Sequence, residues 1–323
     1  MGIDLSSKAF LIGNGIHRAI TKSGVKSWKE LLAKIASSMK VKVDLDNEYK
    51  PFPLLLEEIL FQAEGNFDNN LQIIKENIAT FFQISSDNEL HKEIVNSGIE
   101  HILTTNYDYA FEKVLIKNFN NEGKEIPRGT NEILNSIKRR SIFKKENLSV
   151  WHMHGEINQR ITKSDNSYTS NSILIGNEHY SSYFYKIQKY VKSSKGKNNR
   201  YIIDKINDEE YRLQSWIDAF FMKELCIAGF SFDFSEYHLW WLLNFRAKLI
   251  AREKITKPNV IKYYYAELPD AKTEDLSELA KQITRRRIER AKVDLFKALD
   301  IKTIKISCAN YKEYFEKVFE QEL

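Results

Sequence analysis

Short apolar runs alternate with longer segments of helical periodicity along this chain of 323 residues. The short runs are rich in strand-forming residues, and between most of them apolar positions repeat every three or four residues. The predicted strands are AFLI (9–12), HILT (101–104), LSVWHM (148–153), SILI (172–175), ELCIAGF (224–230), NVIKYYYAEL (259–268) and IKTIKIS (301–307). Strands that alternate with helices predict an α/β fold with a mainly parallel sheet and helices on both faces.

Two long segments interrupt this alternation. Residues 27–98 contain several helical patterns with no strand between them, which predicts a helical insertion after the first strand–helix unit. Residues 157–215 are polar and rich in tyrosine, which predicts a second insertion. The remaining helical patterns include YAFEKVLIKNF (109–119), YRLQSWIDAFFM (211–222) and EYHLWWLLNFRAKLIA (236–251). We therefore expect residues 1–323 to form one α/β domain that carries two insertions.

Composition is that of an ordinary globular protein, with 42% hydrophobic and 29% charged residues. No apolar run approaches the roughly 20 residues needed to cross a membrane. The N-terminus lacks the basic start and the cleavage site of a secretory signal. Cys226 and Cys308 each lie in an apolar run, as reduced core cysteines do. We expect a cytoplasmic protein that makes no membrane contact.

The net charge of +5 is too small to predict a nucleic-acid-binding protein. Basic residues cluster at 138–145 and 192–200, in polar stretches that predict exposed loops. A third cluster, at 284–292, lies on a predicted helix beside acidic residues, which predicts a solvent-exposed face. Direct nucleic-acid binding is not expected.

Small and polar residues follow the ends of the predicted strands. After the first strand, Gly13, Asn14 and Gly15 allow a tight turn and a close approach of the backbone to a phosphate. The third glycine of the dinucleotide-binding fingerprint is absent, because Arg18 stands there. A plain turn between strand and helix explains the two glycines equally well.

The second strand runs into TTNYD (104–108), for which two explanations stand. Thr105 could cap the following helix, with Asp108 favouring the positive end of the helix dipole. Alternatively these groups belong to a binding site, because ligands in open α/β sheets bind beyond the carboxyl ends of the strands.

The third strand ends in VWHMHGEI, where His152, His154 and Glu156 recur at period two around Gly155. On a strand they would share one face, which suggests a metal site. A single histidine could instead accept a proton, with Gly155 letting a substrate approach the backbone. A half-buried, hydrogen-bonded histidine without chemistry is the third possibility.

The fourth polar or glycine-rich end is that of ELCIAGF, where Gly229 and Ser231 stand before the next helix. A nucleophilic serine is disfavoured, because Asp233 occupies the last position of the Gly-x-Ser-x-Gly pattern that hydrolases use. Four polar or glycine-rich ends on one edge of a sheet predict a pocket there.

Along the chain these motifs are Gly-x-Gly with SGVKSWKELL downstream, Thr-x-Asn-x-Asp, His-Gly and Gly-x-Ser. Their order resembles that of the sirtuin-like superfamily. More specifically they resemble the bacterial sirtuin-like proteins of antiphage defence that destroy NAD. The resemblance covers a Rossmann-like core and leaves both insertions unassigned. The chain differs from the sirtuin deacylases in two motifs: Asn14 replaces the alanine of Gly-Ala-Gly, and Gly24-Val25-Lys26 stands in place of Gly-Ile-Pro. It also lacks the cysteines of their zinc-binding domain. We therefore expect no zinc and no protein deacylation.

The resemblance implies an NAD+ glycohydrolase that releases nicotinamide and leaves ADP-ribose. It places Asn106 on the ribose hydroxyls or the attacking water. Asp108 would orient the ribose and add negative charge, and His154 would accept a proton. The residues expected to bind the rest of NAD+ are Gly13, Asn14, Gly15, Thr105, Gly155, Gly229 and Ser231.

The same resemblance implies the toxic effector of an abortive-infection system, with NAD+ as substrate and no further cofactor. We expect a homo-oligomer whose trigger lies on a separate protein, for example an ATPase or an Argonaute-like subunit. Two alternatives remain: a subunit that binds NAD or ADP-ribose without cleaving it, and a metal-dependent hydrolase using His152, His154 and Glu156.

Overall fold

The structure is a computed structural model that describes residues 5–19, 28–45, 50–82, 89–116, 137–157, 173–192, 201–269 and 275–323. Within these ranges the strands form one seven-stranded sheet, in the order β3-β4-β2-β1-β5-β6-β7. The strands are β1 (Lys8–Ile12), β2 (His101–Thr104), β3 (Arg140–Phe143), β4 (Leu148–His152), β5 (Glu224–Ala228), β6 (Ile261–Glu267) and β7 (Lys302–Ser307). All pairings are parallel except that of β3 with β4. The predicted α/β fold is confirmed.

The helices connect the strands and flank the sheet. Before β2 they are α1 (Gly15–Arg18), α2 (Trp28–Ser38), α3 (Phe52–Gln62), α4 (Phe67–Phe82) and α5 (Glu89–Asn96). Between β2 and β5 they are α6 (Ala110–Leu115), α7 (Gly176–Lys192), α8 (Ile202–Ile206) and α9 (Trp216–Met222). After β5 they are α10 (Tyr237–Ala251), α11 (Leu276–Ala298) and α12 (Tyr311–Glu322), and a 3-10 turn, Leu5–Ser7, precedes β1. None of the described helices is both long and apolar enough to cross a bilayer.

The central strands are buried on both faces because successive side chains point in opposite directions. In β1, Ala9 and Leu11 belong to one hydrophobic cluster, whereas Phe10 and Ile12 belong to another. The first cluster lies under helices α7, α9, α10 and α11, and the second lies under α5, α6 and α12. Strands covered on both faces show continuous apolar runs rather than alternation, which is why the sequence predicted them so clearly.

A third hydrophobic cluster lies beyond the ends of β2 and β4. It is built from the apolar faces of α2, α3 and α4. Tyr107 and Tyr109, from the loop after β2, are buried in it together with Ile173 and Ile175. Helices α2, α3 and α4 therefore pack on the loop that carries TTNYD.

Two local predictions were wrong. The apolar run 172–175 is no strand over its described residues, because Ile173 and Ile175 bury their side chains in the helical cluster instead of joining the sheet. The basic stretch 138–145 contains the antiparallel edge strand β3, in which Ser141 and Phe143 are buried. Its half-buried and buried positions alternate, but the charged residues around it obscured this pattern in the sequence. The basic stretch 192–200 lies, except for Lys192, outside the described residues.

The last helix is joined to the sheet by a buried ionic network around Glu322. This carboxylate lies 2.6 Å from Lys8 Nζ and 2.7 Å from Lys262 Nζ, and it accepts a hydrogen bond from the Tyr264 hydroxyl. Burial alone would raise the pKa of Glu322, but the hydrogen bonds from Lys262, Lys8 and Tyr264 outweigh it and lower the pKa to about 2. The carboxylate is therefore ionised throughout the neutral range.

Replacing Glu322 by alanine should strongly destabilise the fold, because the buried Lys8 ammonium would lose its main partner. We expect the free energy of unfolding to fall by about 3 kcal/mol in urea denaturation. Glu320→Ala, on the exposed side of the same helix, is the control and should change it by less than about 0.5 kcal/mol. Equal effects of the two variants would contradict the importance of the network.

The same carboxylate predicts a pH dependence of stability. Because the pKa of Glu322 is lowered on folding from 4.5 to about 2, its stabilising contribution is complete above its unfolded pKa. That contribution should be lost as the pH falls from about 4.5 towards 2. In Glu322→Gln this part of the acid sensitivity should be missing when unfolding is measured at successive pH values. If the variant lost stability between pH 4.5 and 2 as steeply as the unchanged protein, Glu322 would not be the group responsible.

Candidate active site

The carboxyl ends of four neighbouring strands open into a cleft of about 1500 Å³. The register aligns Ile12 of β1 with Thr104 of β2 and Ala228 of β5, and aligns Thr104 with His152 of β4. The residues that follow these positions therefore meet at one edge of the sheet. Of the sequence-predicted residues, those lining the cleft are Asn14, Gly15, Thr105, Asn106, Asp108, His154, Gly229 and Ser231. Gly13 and Gly155 are not among the lining residues.

The loops after β1 and β5 touch through their backbones. Gly15 N–H donates to the Gly229 carbonyl oxygen at 2.8 Å. A Cβ atom on Gly15 would lie 2.6 Å from Gly229 Cα, a distance that no side chain tolerates. Gly229 itself has a φ of +61°, in the left-handed region that favours glycine. The glycine pattern is therefore required by contact between two loops, whatever ligand the cleft holds.

Asn106 is held in the cleft by the turn that ends β2. Thr104 Oγ1 donates to the Ile12 carbonyl oxygen at 3.1 Å and accepts from Asn106 N–H at the same distance. The side-chain amide of Asn106 donates to the Gly13 carbonyl oxygen at 3.4 Å. Asn106 is 8% exposed, so its amide lies at the floor of the cleft in a fixed orientation.

The side chain that accepts from the first N–H of α6 is Asp108 rather than Thr105, and the N-cap position itself is Tyr109. The chain turns for several residues after β2, so α6 begins only at Ala110, whose N–H donates to Asp108 Oδ1 at 2.9 Å. Thr105 is half-buried and lines the cleft. The expectation that Thr105 caps the helix was wrong, because the strand-to-helix junction is longer than a simple capping box requires.

Asp108 also pairs with a histidine from the first loop. Its Oδ2 lies 3.0 Å from Nε2 of His17 in α1, and both side chains are buried. Burial would raise the pKa of Asp108, but the charge and hydrogen bond of His17, together with His91 and Ala110 N–H, lower it well below its usual range. Asp108 therefore places a buried negative charge in the wall of the cleft.

His154 faces a second buried carboxylate, that of Glu236. Gly155, with a φ of +81°, turns the chain just after His154. His154 Nε2 lies 3.3 Å from Glu236 Oε2, and the Tyr180 ring packs edge-on against the imidazole. Burial raises the pKa of Glu236, but attraction by His154 and His238 outweighs it, so the pKa is lowered and Glu236 is ionised.

His152 has a different and structural role. Its Nε2 lies 2.7 Å from Glu112 Oε1, and its Nδ1 lies 3.4 Å from the Asn106 carbonyl oxygen. Glu156 is hydrogen-bonded to Arg139. Because β4 ends at His152, the period-two pattern breaks there, and the ligand atoms of His152, His154 and Glu156 do not converge. The metal site suggested for these three residues is absent from the part of the chain described.

The outer wall of the cleft is basic and aromatic. Helix α11 lines it with several arginines, and the buried Lys292 donates to the Ser231 carbonyl oxygen at 2.7 Å. The exposed face predicted for residues 284–292 is therefore in part a wall of the cleft. Its basic and aromatic lining residues include Arg285, Arg286, Arg290, Lys292, Tyr263, Tyr265, Tyr311 and Tyr314.

Three cleft residues were not singled out from the sequence. Glu236, at the N-terminus of α10, and Tyr180, in α7, line the cleft, and His17 pairs with Asp108. A weak signal existed for two of them. His17 follows the glycine turn directly, and Glu236 precedes an apolar helix just after Gly229 and Ser231. Tyr180 lies in a segment predicted to be a polar insertion and offered no such signal.

The fold and the cleft define a Rossmann-like α/β domain with a site at the carboxyl edge of its sheet. A family model described as the SIR2-like domain matches residues 100–283, more than half of the chain. The chain belongs to this SIR2-like family. The match includes Asn106, Asp108, His154 and Glu236, and the family indicates an NAD-consuming enzyme. No curated protein matches the chain.

Asp108→Ala should destabilise the protein, because Ala110 N–H loses its acceptor and His17 loses its partner. We expect the free energy of unfolding to fall by about 1–3 kcal/mol in chemical denaturation. Thr105→Ala should change it by less than about 0.5 kcal/mol. If Thr105→Ala lowered the free energy of unfolding more than Asp108→Ala does, Thr105 would be the residue that stabilises the start of α6.

Proposed function

We propose that the protein is an NAD+ glycohydrolase, which cleaves NAD+ to nicotinamide and ADP-ribose. One observation carries the proposal. Asn106 and His154, which follow neighbouring strands, line the same cleft as two buried and ionised carboxylates, Asp108 and Glu236. The membership of the chain in the SIR2-like family supports NAD+ as the substrate.

The carboxylates suit the difficult step of this reaction. Breaking the bond between ribose and nicotinamide leaves positive charge on the ribose ring, as in glycoside hydrolysis. Negative charges fixed in a buried cleft stabilise such a centre more than they would in water. Asp108 and Glu236 are held in place before the substrate arrives, so little reorganisation is needed during the reaction.

Asn106 would orient the ribose or the attacking water. Its amide offers both donors and an acceptor, and one donor is already directed at the Gly13 carbonyl oxygen. That hydrogen bond fixes the orientation of the side chain, leaving the other polar positions for the ligand. A group held in one orientation contributes more to catalysis than a mobile one.

His154 would accept the proton. In the proposed step, a water oxygen bonds to the ribose carbon while the bond to nicotinamide breaks, and the bonding electrons leave with nicotinamide. The water proton passes to His154, directly or through a ribose hydroxyl. The Glu236 carboxylate beside the imidazole supplies the compensating negative charge.

The remaining predicted residues would hold the rest of NAD+. Asn14, Gly15 and Thr105 would face the diphosphate, and Gly229 and Ser231 would face the adenosine. Gly13 and Gly155 would act through the backbone shape they give to the loops. The volume of the cleft exceeds that of an ordinary small-molecule site, in keeping with a dinucleotide.

The cellular role we propose is that of a toxic effector in abortive infection, in the bacterial cytoplasm. This role rests on the order of the strand-end motifs, which resembles that of the antiphage proteins. We propose in addition that the protein forms a homo-oligomer and is triggered by a separate protein, so its activity should be assayed alone and with the products of neighbouring genes.

Chromatography of NAD+ incubated with the protein tests the activity. We expect equal amounts of nicotinamide and ADP-ribose, without a peptide acceptor. Asn106→Ala and His154→Ala should each lower turnover by about 100-fold or more, because each removes a preorganised polar group. Asn244→Ala, an exposed asparagine on α10, is the control and should be as active as the unchanged protein.

The double variant Asn106→Ala/His154→Ala tests whether the two residues act together. We expect its turnover to be little lower than that of either single variant, since residues acting as a unit are not additive. All variants should unfold within a few degrees of the unchanged protein. Near-normal NAD+ cleavage by Asn106→Ala would contradict the proposal that Asn106 belongs to the active site. Binding of NAD+ without cleavage under every activating condition would point to a non-catalytic binding subunit.

A further inference from the structure

Three buried ligand atoms point at one another beside the cleft. They are His154 Nε2, Glu236 Oε2 and His238 Nε2, and none of them makes a hydrogen bond of regular geometry. His154 and His238 both face the same Glu236 oxygen, and buried polar atoms nearly always find a partner, so a group shared by all three would complete the cluster. One ligand atom of each residue lies within 4.8 Å of those of the other two.

The distances match those of a metal site. His154 Nε2 lies 3.3 Å from Glu236 Oε2, and His238 Nε2 lies 3.8 Å from the same oxygen. Ligands bound at about 2.0–2.1 Å in a tetrahedral zinc site are separated by roughly 3.3–3.4 Å. Both separations from Glu236 Oε2 are therefore within about 0.5 Å of the spacing of bound ligands.

The three side chains come from rigid parts of the fold. His154 lies in the turn after β4, whereas Glu236 and His238 lie at the start of α10. The rings of Tyr180 and Tyr183 pack against His238, which is fully buried. Two imidazoles and one carboxylate are the donor set of several catalytic zinc sites, in which three protein ligands leave one position open.

The other cluster of this kind in the described residues differs in one decisive respect. Glu224, Cys226 and Glu322 also lie within 4.8 Å of one another. Their carboxylates, however, are already paired with Lys8 and Lys262. A cation there would displace ammonium groups that neutralise the cluster, so the geometry favours the cluster around His154.

We propose that His154, Glu236 and His238 bind one divalent transition-metal ion of the zinc class, with its open position towards the cleft. No zinc was expected from the sequence because the cysteines of the sirtuin zinc-binding domain are missing. Glu236 and His238 lie far from the His-x-His pair along the chain, so no sequence pattern indicated this ligand set. His152, the other member of that pair, belongs to the network with Glu112. The proposed ligand set therefore shares only His154 with the set suggested by the sequence.

A bound ion would change the chemistry of the cleft. It would occupy the lone pair of His154 Nε2, which the proposed hydrolysis needs as proton acceptor. This consequence rests on the proposed function, and it predicts that micromolar zinc inhibits NAD+ cleavage. The metal site itself does not depend on that function, so the two are tested by separate measurements.

Metal binding is measured on tag-free protein stripped of metal and titrated with Co2+ and with Zn2+. We expect one ion per chain, with the visible absorption of four-coordinate Co2+ and its loss when Zn2+ is added. His238→Phe keeps an aromatic ring in the buried position and removes one ligand. It should weaken binding by at least about 10-fold, as the loss of even a supporting residue does at known sites. His101→Phe, a histidine at the opposite end of β2, is the matched control and should bind as the unchanged protein does.

Absence of a stoichiometric ion, or binding that is equal in His238→Phe and His101→Phe, would overturn the site. In the second measurement, His238→Phe should cleave NAD+ without inhibition by zinc, while His101→Phe should remain inhibited. Stoichiometric binding that leaves NAD+ cleavage unaffected would support the site and overturn the inhibition. If no NAD+ cleavage is found at all, the absorption titration still decides the metal site.

Discussion

The backbone contact between Gly15 and Gly229 is the constraint on which the cleft depends. It joins the loop after β1 to the loop after β5 at a distance that excludes any side chain. The first loop presents the Gly13 carbonyl oxygen that orients Asn106, and the second leads into the helix that follows Glu236. The positions of the amide and of the carboxylate are therefore set by the same contact, which parallel pairing of β1 with β5 brings about.

Charge is distributed unevenly along the cleft, and this asymmetry connects the fold with the proposed substrate. Its inner end holds the ionised carboxylates of Asp108 and Glu236, whose burial is offset by His17 and His154. Its outer wall carries the arginines of α11. NAD+ has the opposite arrangement, with a cationic nicotinamide at one end and an anionic diphosphate further along. A ligand of this kind would be bound in one direction, with the reacting bond next to the carboxylates.

The sheet could be predicted from the sequence because buried parallel strands are continuous apolar runs, as β1 and β5 show. The edge strand β3 could not, since two of its four positions are only half-buried and charged residues surround it. Asn106 and His154 were predicted from the resemblance of the strand-end motifs, and the structure places both in the cleft, two residues after β2 and β4 end. The hydrogen bond from Ala110 N–H to Asp108 was not predicted, because the length of a turn depends on tertiary packing, here on burial of Tyr107 and Tyr109. Glu236 and His238 come close to His154 only through the packing of α10, so no short sequence pattern indicates this contact.

The most direct test of the account is a crystal structure of the His154→Ala variant with NAD+ bound. The account predicts the nicotinamide ribose within hydrogen-bond distance, about 3 Å, of the Asn106 side chain. It also predicts the bond to nicotinamide next to the space left by the imidazole, with the diphosphate towards Asn14 and Gly15. A dinucleotide bound outside the cleft, or bound in the reverse direction with adenosine beside Asn106, would contradict it.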